Sequence, residues 1–248
     1  MKKLYIIGIG PGGVGSITGD AIAALNDSDV ITSYTPYLEY IRDVVDLDAA
    51  EVYTSGMTKE IERCTYAVQS AASGKTTSII STGDAGLYGM AGPCYEIAEE
   101  LGLTREIEIV VIPGVSAIFA AAAELGAPLM HDTAIISLSD LLTPLELIKK
   151  RLALAAEGDF VIGLYNPRSK SRPHYLKMAM ELISEHRPGK TPVGIVKNAG
   201  RSGIEITITD IESIDYEIVD MLSLVIIGNS STRIIDGKMV TPRGYENK

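Results

Sequence analysis

Apolar residues fall into short, almost wholly apolar runs separated by longer stretches with helical spacing, and the alternation persists from end to end. Residues 4–9 read as a first buried strand, closed by Gly8-Ile9-Gly10-Pro11-Gly12-Gly13. A helix is predicted over residues 16–25, with Asp20 near its positive end, and a short second strand over 30–33. Thr35-Pro36 has the form of an N-cap followed by proline at the first helical position, which predicts a helix over 37–47. Residues 58–73 carry helical periodicity closed by Gly74, followed by a strand at 76–81, a helix at 90–101 and a strand at 107–112. Pro113-Gly114-Val115-Ser116-Ala117 then breaks the pattern ahead of a small-residue helix over 118–125.

A domain boundary is expected at that break, giving residues 1–113 and 114–248. The second half has strand patterns near 134–138, 160–165, 192–197, 204–209 and 223–227, and helical patterns at 144–156 and 173–186. The fold class is therefore α/β, with a mostly parallel N-terminal sheet. The runs at 204–209 and 222–227 have no helix between them, which predicts a mixed C-terminal sheet with antiparallel members.

At 248 residues, 46% hydrophobic and 22% charged, the chain buries a sizeable core. Its net charge of -10 argues against nucleic acid as a partner, since phosphate neutralisation needs a basic field. An anionic small ligand is still admissible where basic residues gather locally. Cys64 and Cys94 are far apart in sequence and form no pair motif, so no metal site is expected and the setting reads as reduced and cytoplasmic. No apolar run reaches the roughly 18 residues of a membrane span, and the first eight residues read as strand rather than signal peptide. Tyrosine is abundant, at 12 against 2 Phe and no Trp, which suits wet ligand-facing walls or reflects lineage.

Gly8-Ile9-Gly10-Pro11-Gly12-Gly13 matches the dinucleotide fingerprint, yet the second strand ends without the acid that holds a ribose, and Pro11 lacks an N–H. Ser81-Thr82-Gly83-Asp84-Ala85-Gly86-Leu87-Tyr88-Gly89 is a flexible turn at a strand's carboxyl end, where open α/β sheets bind ligands. Asp84 there is either a ligand acceptor or a helix cap. The loop from Tyr165 to Pro173 gathers Arg168, Lys170 and Arg172 before a helix, a pattern that suits binding of carboxylates ahead of the alternative of a solvated turn, and Lys197 and Arg201 flank a neighbouring strand end. Tyr34, Tyr37 and Tyr40 pave a pocket or form a half-buried stripe, and in His131-Asp132 either the carboxylate orients the imidazole or the histidine makes a structural hydrogen bond.

Three of these motifs, in this order, resemble the tetrapyrrole (corrin/porphyrin) methylase superfamily across essentially the whole chain: Gly8-x-Gly-Pro-Gly, Thr82-Gly-Asp-Ala-Gly-Leu-Tyr-Gly and Pro113-Gly-Val-Ser-Ala. The resemblance implies two α/β domains with S-adenosylmethionine (SAM) in the cleft between them. Gly126-Ala-Pro-Leu-Met-His-Asp, Ser137-Leu-Ser-Asp-Leu-Leu-Thr-Pro144, Tyr165-Asn-Pro-Arg-Ser-Lys170 and Lys197-Asn-Ala-Gly-Arg201 resemble the precorrin-3B (cobalt-factor III) C17-methyltransferase branch of cobalamin biosynthesis, whose members methylate and contract the ring. Relatives that make precorrin-2 carry Asp where this chain has Thr35, so that base does not carry over.

By the same resemblance the SAM site comprises Pro11, Thr82, Gly83, Asp84, Leu87, Tyr88, Ser116, Ala117, Asn166 and Ala199. The substrate, a tetrapyrrole with or without cobalt, is expected to meet Tyr34, Tyr37, Arg63, Arg168, Lys170, Arg172 and Lys197. Ser55-Gly56-Met57-Thr58-Lys59-Glu60 with Arg63 resembles the branch's loop over the substrate. Methyl transfer needs alignment more than a protein nucleophile, whereas contraction needs proton movement, for which Thr35, Lys59, His131, Asp140 and Arg201 are the candidates. Family members are homodimers. The alternatives are a methylase of another precorrin position or of protein or ribosomal RNA, and, outside the superfamily, a nicotinamide dehydrogenase.

Overall fold

A computed structural model describes residues 2–245. The chain divides into one unit ending at Ala117 and a second beginning at Ile118, where the sequence reading has the boundary at 113/114. In the first unit, β1 (Lys3–Gly8), β2 (Val30–Tyr34), β3 (Glu51–Ser55), β4 (Thr77–Ser81) and β5 (Glu108–Ile112) form one sheet in the order β3-β2-β4-β1-β5. Every neighbouring pair is parallel. Side chains alternate across a pleated strand, so adjacent residues enter opposite layers. Ile6 and Ile79 pack with Cys64, Ala67 and Cys94 from α2 (Glu60–Ala72) and α3 (Ala91–Glu100). Ile7 and Ile80 pack on the other face with Ala21 and Leu25 of α1 (Gly19–Asn26) and with Ile41. Both faces are covered at the centre of the sheet, which is why adjacent residues such as Ile6-Ile7 and Ile79-Ile80 are apolar in β1 and β4.

In the second unit, β7 (Thr133–Ser137), β8 (Val161–Tyr165), β9 (Pro192–Lys197), β10 (Glu205–Asp210) and β11 (Ser223–Ile227) make the expected mixed sheet, order β10-β9-β11-β8-β7. Only β7 and β8 are parallel. One face packs on α5 (Leu145–Glu157) and α6 (Tyr175–Ser184), through Ile162, Leu164, Val193 and Ile195. On the other face α4 (Ala117–Leu125) lies close: a Cβ on Gly163 would overlap Ile118, and one on Gly194 would overlap Leu125. A third sheet joins β6 (Gly126–Ala127) to a hairpin of β12 (Arg233–Ile235) and β13 (Lys238–Val240).

Two expectations are corrected. Residues 37–47 form no α-helix; a 3-10 helix, Thr35–Tyr40, takes their start, with Tyr34 rather than Thr35 at the cap position and no side-chain cap. The first helix begins later than 16, after a 3-10 turn at Val14–Ser16, and is capped by Thr18, whose Oγ1 accepts from Ala21 N at 3.2 Å. Cys64 and Cys94, remote in sequence, meet between α2 and α3, and their mutual hydrogen bond together with burial pushes the Cys94 thiol up. Among the described residues no helix is long and apolar enough to cross a membrane.

Candidate functional site

The loops that leave β1, β4 and β5 at their carboxyl ends meet backbone to backbone. Ile9 N donates to Ser81 O at 2.9 Å, Gly10 N to Gly83 O at 3.1 Å and Gly83 N to Gly10 O at 2.7 Å. A Cβ on Gly8 would lie 2.7 Å from Gly114 N and 2.8 Å from Gly83 O, so these glycines let the chain approach itself. Asp84 ties the same loops together: Oδ1 accepts from Gly86 N at 2.8 Å and Leu87 N at 3.0 Å, and Oδ2 accepts from Gly114 N at 3.1 Å. Three of roughly four lone-pair positions on a carboxylate are thereby engaged. Of the two roles the sequence leaves open for Asp84, the turn-fixing one is met by these bonds.

Around this cradle Pro11 and Ser116 are buried, Thr82, Leu87 and Ala117 half-buried, and Tyr88 exposed with φ 56. A Cβ at Gly83 would find nothing nearer than Ala117 N at 3.7 Å, so the backbone is open on that side. Residues 9–18, 82–90 and 113–117 contain no Lys, Arg or His. Carbonyls, one carboxylate and no cation suit a positively charged ligand and disfavour a pyrophosphate. The dinucleotide alternative loses its helix as well, because Gly13 leads only into the 3-10 turn and α1 starts at Gly19 with its own cap.

At the end of β2 the tyrosines do form a row: Tyr34 meets Tyr37 edge-on at 5.1 Å between ring centroids, and Tyr37 meets Tyr40 at 6.4 Å. Thr35 is exposed, and Lys59 pairs with Glu62 at 3.0 Å. Arg63, expected to grip substrate, is instead buried in the protein's own contacts.

In the second unit, the ends of β7, β8 and β9 carry the other candidates. Asn166, at φ 52, donates from Nδ2 to Ser137 Oγ at 2.9 Å, while Ala199 is buried in a turn closed by Arg201 N donating to Asn198 O at 2.9 Å. The Tyr165 hydroxyl accepts from Ile118 N, at the start of α4, at 3.1 Å. The cationic loop is largely satisfied by acids of its own unit. One terminal nitrogen of Arg168 donates to both Glu217 oxygens at 2.8 Å, and the other donates to Tyr216 O at 2.9 Å. Lys197 pairs with Asp220 at 2.9 Å, and that hydrogen bond raises its pKa. Arg172 is buried, with Nε on Ser169 Oγ at 3.3 Å and a terminal nitrogen 3.6 Å from Asp140 Oδ1. Lys170 is exposed and its ammonium has no partner among the described residues. With Arg168, Ser169 and Pro173 it faces Val219, Asp220, Met221 and Leu222 across a cavity of about 420 Å³.

One acid–base expectation changes and another is resolved. Asp140 Oδ2 accepts the Tyr175 hydroxyl at 2.6 Å, and this bond holds its carboxyl below the ordinary 3.8 against some burial, leaving it a weak base. Of the two readings of His131, the structural hydrogen bond is the one present: its Nδ1 accepts the Asp132 backbone N–H at 2.9 Å, with Oδ2 at 3.8 Å. The imidazole's second nitrogen is then the one that carries the proton when neutral. The reading from sequence had no signal for Glu217 and Asp220 as partners of the basic loop, because they come from the segment before β11.

Residues 3–215 match the family of tetrapyrrole (corrin/porphyrin) methylases. A Salmonella typhimurium protein named as a probable cobalt-factor III C(17)-methyltransferase is 46% identical over 242 residues, covering 98% of this chain and 99% of that one. A Priestia megaterium protein named as a cobalt-factor III methyltransferase is 46% identical over 248 residues; the chain spans 46% of that longer relative. The crystal structure of the methyltransferase CobJ superposes with a TM-score of 0.90 at 33% identity, over 96% of this chain and 99% of that one.

Proposed function

As the chain belongs to the tetrapyrrole (corrin/porphyrin) methylases and is a methyltransferase, we propose that it transfers methyl from SAM to C17 of cobalt-factor III, with ring contraction, in cobalamin biosynthesis. The cobalt-loaded substrate is preferred because both 46% relatives described above carry that substrate in their names. Cobalt arrives inside the macrocycle. The working form is proposed to be a cytoplasmic homodimer, as the family resemblance implies.

The observation that carries the cofactor assignment is the cation-free cradle at the ends of β1, β4 and β5. When bound, SAM supplies an electrophilic methyl group on a sulfonium. Its positive centre matches carbonyls and a carboxylate, and its amino-acid end fits the open backbone at Gly83 beside Ser116. The residues proposed to hold it are Pro11, Thr82, Gly83, Leu87, Tyr88, Ser116 and Ala117 in the first unit, and Asn166 and Ala199 in the second. Asp84 fixes the turn that presents the first set and keeps one lone-pair position for the ligand.

Methyl transfer to an electron-rich ring carbon is served by alignment and exclusion of water. The Tyr34–Tyr37–Tyr40 row is the proposed apolar wall for the macrocycle's face, with Lys170 meeting a peripheral carboxylate. Proton movement for contraction is left to Thr35, Lys59, His131 and Arg201, since the Asp140 carboxyl is held low by the Tyr175 hydroxyl it accepts, with Arg172 3.6 Å away. Titration calorimetry tests the reading: SAM and its demethylated product should bind and NAD should not. NAD binding without SAM binding would refute it.

A further inference from the structure

We infer that Arg63 is a positioning residue that fixes the strand-end turn after β3 and the Tyr34 ring, and is not a ligand for substrate carboxylates. The inference rests on the reading above only in taking this rim as the substrate's.

A guanidinium is rarely buried unless its donors are matched. Arg63 has 5% of its surface exposed. One terminal nitrogen donates to Ser55 Oγ and to Gly56 O, both at 2.9 Å. The other lies 3.6 Å from Glu60 Oε1, one turn back on α2, so its charge is already balanced within the first unit. The guanidinium carbon stands 5.8 Å from the centroid of the Tyr34 ring, within cation–π range. A substrate carboxylate at this group would have to displace Glu60 and open a buried fork.

The positions it joins are those a rim must hold steady. Tyr34 and Ser55 are the last residues of β2 and β3 and lie opposite each other in the parallel ladder. Tyr34 in turn meets Tyr37. Beyond Ser55 the turn projects Met57, 71% exposed, and passes through Thr58 at φ 65, a left-handed conformation that a β-branched residue adopts only under constraint. Lys59, at the cap position of α2, makes no side-chain cap. Little else in the turn fixes it locally. Further along, the β3–α2 pair is held by other means: Tyr53 stacks on Tyr66 at 3.8 Å and donates to Glu62 at 2.8 Å. Arg63 is thus the tie at the tip.

The test measures hydrogen exchange in residues 56–59 of the free protein, alongside steady-state kinetics with SAM and cobalt-factor III, for Arg63→Lys, Arg63→Ala and Ser55→Ala. Lysine keeps the charge but lacks the fork, so it should not rescue. Exchange in the turn should quicken by about tenfold or more in both Arg63 variants, with β1 and β4 unchanged. The kcat should fall by about tenfold while the macrocycle KM moves by less than about threefold. Ser55→Ala should show a smaller shift in the same sense. A role confined to stability would lower the melting temperature and leave the kcat of the folded fraction intact, which would overturn the inference. So would unchanged exchange with a raised macrocycle KM and normal kcat, the pattern of a direct ligand. If Arg63→Ala does not fold, Arg63→Lys and Ser55→Ala decide. Should the parent protein turn over no tetrapyrrole, the proposed function fails, while exchange in the turn still decides whether Arg63 fixes it.

Discussion

Asp84 concentrates the account at the scale of one residue, because its carboxylate accepts three backbone N–H groups drawn from two loops. Asp84→Ala leaves those donors without an acceptor, at a cost of about 1–3 kcal/mol. Thermal melting and SAM calorimetry should therefore worsen together. Asp84→Asn, which keeps one carbonyl oxygen but sets an amide against Gly114 N–H, should fall between parent and Ala. A SAM affinity lost at an unchanged melting temperature would make Asp84 a direct ligand instead. Asp140 gives a prediction in pH. The Tyr175 hydroxyl, helped by Arg172, lowers its pKa from 3.8, so its stabilisation is complete above that value and lost as pH falls through the lower folded-state value. Denaturation of Asp140→Asn against the parent should show a stability gap that is constant near neutrality and closes below about pH 3.8. A gap that instead grew on acidification would contradict the assignment.

At the scale of elements, α4 lies on β8 and β9 through Ile118 and Leu125 because Gly163 and Gly194 carry no side chain. Gly194→Ala should overpack this contact and cost about 1–3 kcal/mol, read as a lower urea midpoint; a neutral result would mean that α4 stands off the sheet. Most elements were legible because paired apolar layers leave continuous runs in buried strands, as in β11, where Leu224-Val-Ile-Ile227 are all buried. β3 was missed for the opposite reason. It is an edge strand whose residues are exposed or half-buried, so Glu51-Val-Tyr-Thr-Ser reads as loop. The β12–β13 hairpin did have a signal: Asp236-Gly237, both at positive φ, is a two-residue turn between β-branched and apolar residues. The false helix at 37–47 came from trusting Thr35-Pro36 as a cap, where proline and two tyrosines settle into a 3-10 turn. The motifs of the candidate site were legible by position. Their partners were not, since Glu217 reaches Arg168, Asp220 reaches Lys197 and Tyr175 reaches Asp140 only through the tertiary fold.

At the scale of the whole molecule, a net charge of -10 is not locally reversed as strongly as the basic loop suggests, because Glu217, Asp220 and Asp140 stand against its cations. Lys170 is then the cation most open to a polyanionic macrocycle. Lys170→Ala should raise the macrocycle KM by about two- to fivefold at low ionic strength, fading as salt screens the exposed charge, with SAM affinity unchanged. A loss of SAM affinity in that variant would put the loop beside the cofactor. The central claim is the transfer itself. The protein should be incubated with cobalt-factor III and SAM labelled with carbon-13 at the methyl group, and the product's label located by NMR. The account predicts a single labelled methyl on C17 of a contracted ring, with one SAM consumed per product. Label that stays on SAM, or arrives at any other ring position, would contradict it.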